Sequence, residues 1–143
     1  MTLTVRLVDV NYTQQIWPAI QTFLQEALDK GGDFPDWAAG YNIHHVQNFV
    51  TSGQWILFVA VDEENNIHGA MTISFVNYPL HRIAFVTTTG GKFIANPELL
   101  EQLKVLVKPY GATKIQAFCR ESMVRLLARA KFEPRNTLVE VLI

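Results

Sequence analysis

The sequence predicts an α/β domain in which a mixed sheet carries helices on both faces. Three observations predict it. Apolar runs with strand-like alternation are interleaved with stretches whose apolar residues recur every three or four positions. Between Trp55 and Thr88, strand-like runs follow one another through short polar turns, as an antiparallel meander requires. From Arg82 to Cys119 a strand, a loop and an amphipathic helix lead to a further strand, and such a β-α-β unit needs a parallel, right-handed crossover. A sheet with both kinds of pairing, covered by helices on each side, accommodates all three.

Size and composition agree. The chain has 143 residues, of which 49% are hydrophobic and 17% charged, suiting one globular domain over residues 1–143. At this length roughly two-thirds of the unfolded surface can be buried. The formal net charge of −1 gives no electrostatic reason to expect nucleic acid or an anionic membrane as partner. No apolar run reaches the roughly 18–20 residues that cross a bilayer, and MTLTVRLVDV lacks the regions of a signal peptide. The single Cys119 excludes an internal disulfide and suits a reducing compartment. A cytoplasmic protein is the expectation.

Leu3 to Val10 alternates, with Leu3, Val5 and Leu7 on the inward side of a first strand. Asn11 or Thr13 can cap a helix from Thr13 to Lys30, whose stripe is Ile16, Ile20, Phe23, Leu24, Ala27 and Leu28. Pro18 is early enough to be tolerated, and Gly31-Gly32 ends the helix. An irregular aromatic segment, Asp33 to Asn42, precedes a short helix from His44 to Thr51, with Val46, Phe49 and Val50 inward and a stop at Gly53. Trp55 to Val61 is continuously apolar, as a strand buried on both faces requires. Asp62 to Asn66 is a hairpin turn, Ile67 to Val76 the returning strand, and Asn77-Tyr78-Pro79 a break before a strand from Arg82 to Thr88.

A loop from Thr89 to Asn96 follows. Asn96 caps a helix that begins at Pro97, with Leu99, Leu103, Leu106 and Tyr110 as its stripe; Pro109 and Gly111 close it. Thr113 to Cys119 is the next strand. A helix from Glu121 to Ala130 turns Met123, Leu126, Leu127 and Ala130 inward, and Thr137 to Ile143 is a last strand. The predicted order is β-α-α-β-β-β-α-β-α-β.

That order, with Gly69 after a polar hairpin and the ending LLARAKFEPRNTLVEV, resembles the GCN5-related N-acetyltransferase (GNAT) superfamily over almost the whole chain. The resemblance implies a GNAT-like mixed sheet and an acyl-CoA-dependent N-acyltransferase using acetyl-CoA, with a small-molecule or protein amine as acceptor. It places the cofactor against Phe85, Val86, Thr87, Thr88, Gly90, Gly91, Lys92, Phe93 and Ile94. Two departures are visible. The glycine positions of the family's cofactor loop fall near Ile94 and Asn96, where side chains restrict close approach. The family's last-helix tyrosine falls on Leu127, which has no proton to give, and the glycine before Phe132 is Lys131. An alternative follows from these: a non-catalytic GNAT-fold interaction or structural module with an eroded cofactor loop, as in certain tailed-phage proteins. A third is an anion sensor that keeps the loop without the transfer step.

Thr87-Thr88-Thr89-Gly90-Gly91-Lys92 has the hydroxyls, flexible backbone and ammonium to hold an anion; the plainer reading is a loop that needs two glycines to turn. His45 and His81 are the candidate general bases. Adjacent His44 and His45 point about 100° apart on a helix and do not chelate one ion, so no metal site is expected. The resemblance puts Asp33, Asp36, Trp37, Tyr41 and His45 on the acceptor side. Phe34, Trp37 and Tyr41 are alternatively a partner surface, for a second copy or another protein. Arg120, Arg125, Arg129 and Lys131 make the last helix basic, as a phosphate contact or as a solvated face.

Overall fold

The computed structural model describes residues 1–30, 40–93 and 96–143. The elements are β1 (Thr4–Val8), α1 (Thr13–Lys30), α2 (Ile43–Thr51), β2 (Ile56–Val61), β3 (Ile67–Asn77), β4 (Arg82–Gly91), α3 (Pro97–Val107), β5 (Lys114–Ala117) and α4 (Glu121–Ala128). The strands lie in the order β1-β2-β3-β4-β5; all neighbours are antiparallel except β4 and β5, which are parallel.

Two apolar cores lie on opposite faces of the sheet. On one, Trp17, Ile20 and Leu24 of α1 and Val46 and Val50 of α2 meet Leu57, Val59, Val61 and Ala70. On the other, Leu99, Leu100, Leu103 and Val107 of α3 meet Phe58, Ala60, Met71, Ile73, Ala84 and Val86. The alternation along β2 divides its residues between the two, which is why its run is apolar throughout. Helices on both faces, as the periodicity predicts, are therefore the observed arrangement.

Local signals set the boundaries. The Asn42 side chain accepts from the N–H groups of His44 and His45, and His45 Nδ1 accepts the Asn42 N–H, so a histidine completes the capping box of α2. Asp62 shapes the β2–β3 turn by accepting from the N–H groups of Glu64 and Asn66, with Asn65 in the left-handed region at φ 65°. Before α1, Asp9 caps a 3-10 turn over Val10–Tyr12, displacing the cap expected at Asn11 or Thr13.

The structure corrects four readings. Trp17, absent from the expected stripe of α1, is buried in the core. Leu7 shares the face of Val5 but is exposed, lining an open apolar hollow of about 520 Å³ with Val105, Leu106, Pro109 and Tyr110. β4 runs on to Gly91, so Thr89, Gly90 and Gly91 are strand residues, paired with Met71, Ala70 and Gly69. Thr137 to Ile143 forms no strand: no ladder joins it to the sheet and its side chains are exposed. Alternation supplies strand propensity, whereas a strand exists only where a neighbour receives its backbone hydrogen bonds. Gly31-Gly32 lies outside the described residues.

Candidate functional site

β4 and β5 pair only from Ile83↔Lys114 to Val86↔Ala117. Beyond Val86, β4 continues to Gly91 along β3 alone, and its other edge opens as a splay between the two parallel strands. The opening begins at an irregularity. Thr72 faces Thr88 and Ile73 faces Val86, so Thr87 is an extra residue bulged out of the ladder.

Hydroxyls fasten this bulge. Thr72, fully buried, accepts the Thr88 N–H at 3.1 Å, bonds Thr87 Oγ1 at 2.7 Å and makes a close contact with Thr88 Oγ1. One donor and two acceptors are what a hydroxyl can supply, so Thr72 is saturated. From the segment before α2, the Tyr41 hydroxyl donates to the Thr87 carbonyl at 2.6 Å. The Tyr41 ring meets Trp55 edge-on at 5.1 Å, and Trp55 in turn stacks on Phe49 at 4.4 Å. Burial pushes the Tyr41 phenol up to about 12, so it remains a donor.

The glycine pair is occupied by packing. A Cβ at Gly90 would lie 1.9 Å from the carbonyl oxygen of Phe23, because the backbone of α1 rests directly on β4 there. Gly91 has φ 74° and lies against the backbone of His68 and Gly69. The N–H of Lys92 donates to the His68 carbonyl at 2.9 Å. Phe93 is buried in the core on the α3 side, and its carbonyl accepts the Asn96 N–H. At the start of α3, Pro97 has no N–H, Asn96 Oδ1 takes those of Glu98 and Leu99, and the Asn96 carbonyl takes that of Leu100. The donors that a helix N-terminus offers to an anion are committed internally. Ile94 lies outside the described residues, as do Asp33, Phe34, Asp36 and Trp37.

The remaining site residues are distributed along β4. Phe85 is half-buried and meets Phe118 edge-on at 5.0 Å; Val86 and Thr88 are buried, Thr87 half-buried, and Lys92 exposed. His81 stands ahead of the opposite end of β4, exposed, with Nδ1 2.9 Å from Thr113 Oγ1. It is separated from Thr87 by six residue steps, about 20 Å of strand. His45 is exposed and its Nδ1 is the capping acceptor, which puts the proton of the neutral ring on Nε2. Sequence reasoning missed His68, whose Nε2 lies 2.9 Å from Asp62 Oδ2 beside the end of β4. Its hydrogen bond, ahead of those from Asn66 and Glu64, holds the Asp62 carboxyl well down at about 2. A histidine six residues after an aspartate across a hairpin is the signal that could have found the pair.

An antiparallel meander, a bulged fourth strand and a parallel fifth strand splayed from it define a known architecture. Over 97% of this chain and 99% of the other, the structure matches a tetramutant protein from Bacillus halodurans at a TM-score of 0.72 and 13% identity. It matches a predicted acetyltransferase with acetyl-CoA from Clostridium acetobutylicum at 0.58, with 13% identity over 99% and 96% of the two chains. Glucosamine-6-phosphate N-acetyltransferase from Arabidopsis thaliana matches at 0.60, with 10% identity over 99% of each. This is the GNAT fold. No protein-family model matches the sequence, and no curated protein sequence does so significantly.

On the GNAT scaffold, Leu127 is buried in α4, as its apolar side chain requires. Lys131 keeps a glycine's geometry: it sits at φ 66°, its N–H bonds the Ala128 carbonyl, and the Phe132 N–H bonds the Leu127 carbonyl. That pair of bonds is a Schellman ending, which favours glycine at this position.

Proposed function

We propose that the protein is an acyl-CoA-dependent N-acyltransferase that works at the splay of β4. The observation that carries this reading is the bulge at Thr87 with β4 running on, unpaired by β5, to Gly91. An open strand edge suits a ligand with peptide-like amides, because it offers backbone donors and acceptors in extended spacing. The pantetheine arm of acetyl-CoA is such a ligand. Similarity to acetyltransferase structures adds support through the fold alone.

In this reading the thioester carbonyl lies at the bulge. The Thr88 N–H is already bonded to Thr72, and Phe85 and Val86 are paired with strands on both sides, which leaves the N–H of the bulged Thr87 as the candidate to polarise the carbonyl oxygen. A neutral amine attacks the carbonyl carbon, the C–N bond forms and the C–S bond breaks. The amine's proton passes to solvent and the sulfur departs as thiolate. Tyr41 is poorly matched to protonate that thiolate: a phenol at about 12 is a weaker acid than an ordinary thiol near ~8.5. Its role is to hold the bulge through the Thr87 carbonyl. His45, whose Nδ1 is taken by the Asn42 N–H, and His81, about 20 Å along the strand from Thr87, are candidate bases only through rearrangement or water. The experiment is release of free thiol from acetyl-CoA over a panel of primary amines. Amine-dependent release above the hydrolytic background is expected; none with any amine removes the reading.

A second reading has its own observation. The internally satisfied start of α3 and the committed Lys92 N–H favour a non-catalytic GNAT-fold module. No binding of CoA at all is the outcome that selects it, whereas stoichiometric CoA binding without turnover selects the anion sensor.

A further inference from the structure

We propose that the acceptor amine carries an aromatic ring on a short alkyl arm, and that the ring lies over Phe85 and Phe118 on the α1–α2 face of the sheet. The inference rests on the acyl-transfer reading and names the acceptor class for that same site.

The two faces of the sheet differ at the bulge. On the α3 side Ala84, Val86 and Phe93 are buried in the core, which fills that approach. Side chains alternate along a strand, so Phe85, between Ala84 and Val86, points to the α1–α2 side. Phe118 follows β5 on that side, and its ring meets the Phe85 ring edge-on at 5.0 Å with 70° between their planes. Phe85 is half-buried and Phe118 is 59% exposed. Tyr41, packed against the α1–α2 core, reaches the Thr87 carbonyl with its hydroxyl and walls the same side of the bulge. An amine attacking a thioester held at the bulge therefore comes in over the two phenylalanine rings.

The register limits what fits there. Phe85 faces Ser74 on β3 and Gln116 on β5, so a polar residue flanks it on each side. Neighbouring strands are about 4.8 Å apart, which makes the apolar floor about one ring wide. A third ring packs on such a pair edge-to-face or offset, and gains beyond the area it buries. Along β4, Phe85 and Thr87 are two residues apart, about 7 Å, so a short alkyl arm sets the nitrogen at the bulge when the ring is on Phe85. A sugar amine would instead set its hydroxyls against the two rings, where they lose water without gaining partners.

The floor also bears on the attacking species. His45 and His81 reach the bulge only through rearrangement or water, whereas apolar surroundings disfavour an ammonium. An amine drawn onto the rings gives up its proton to solvent more readily. Its nitrogen then takes the acetyl group as the sulfur leaves as thiolate.

Thiol release from acetyl-CoA with phenethylamine, with ethylamine, which has the same arm without the ring, and with glucosamine tests the inference, each rate being referred to the neutral amine. The kcat/KM ratio of phenethylamine to ethylamine is expected to be on the order of thirtyfold, from burial of one ring. In Phe118→Ala the ratio is expected to fall about fivefold. A ratio near one in the wild-type chain, or glucosamine used as well as phenethylamine, overturns the inference and leaves acyl transfer standing. An unchanged ratio in a Phe118→Ala chain with wild-type circular dichroism overturns it too, by placing the ring elsewhere. No thiol release with any primary amine removes the transfer reading itself, and this acceptor with it. The wild-type ratio decides even if the variant fails to fold.

Discussion

Replacing Gly90 by alanine asks whether the glycine pair serves packing or a ligand. The new Cβ would sit 1.9 Å from the carbonyl oxygen of Phe23 and 2.6 Å from its carbonyl carbon. Ordinary contact starts at 3.4 Å, so α1 would have to withdraw from β4 by about 1.5 Å. The obstacle is helix backbone, which has no rotamer to escape into. Overpacking costs about 1–3 kcal/mol, and a contact of this kind belongs at the upper end, about 3 kcal/mol. For a chain of this length that corresponds to a fall in Tm of about 10 °C. Thermal unfolding followed by circular dichroism reads it directly. A G90A variant melting within about 2 °C of wild type would refute the close α1–β4 approach and return Gly90 to the role of a flexible ligand loop.

Three further substitutions follow from the same geometry. Lys131→Gly relieves a left-handed residue at a Schellman ending, and a gain of about 1 kcal/mol is expected in chemical denaturation. Thr72→Val removes the hydroxyl that closes the bulge, leaving the buried Thr88 N–H without its acceptor; a loss of about 2 kcal/mol is expected in urea unfolding. Asp62 has its carboxyl lowered from 3.8 to about 2 in the folded chain, so its contribution is complete above 3.8 and disappears as pH falls through about 2. Asp62→Asn is therefore expected to flatten the acid limb of the stability profile between those values, read by urea unfolding at a series of pH values.

Much of the fold was legible because its signals are local. Asn96-Pro97 marks the start of α3 through chemistry confined to four residues, and the structure places the cap there. The polar turn after Val61 and the continuous apolar run of β2 are equally self-contained. The site was less legible because it is made by contacts distant in sequence. Thr72, Thr87 and Thr88 read as ordinary strand formers; only the register turns them into a bulge clasp. Tyr41 reaches Thr87 across 46 positions. Glycines punctuate loops and also admit a crossing helix, and nothing local to Gly90 distinguishes the two. The last strand was misread for a related reason: TLVEVLI states its propensity but not its partner.

The central claim is that the open edge of β4 receives an acyl-CoA. Titrating acetyl-CoA into isotope-labelled protein and following the backbone amides tests it most directly. The account predicts saturable shifts concentrated from Phe85 to Gly91 and at Tyr41, with the amides of Glu98 and Leu99, held by Asn96, little changed. No shift at millimolar acetyl-CoA, or shifts confined to surfaces away from β4, would contradict it.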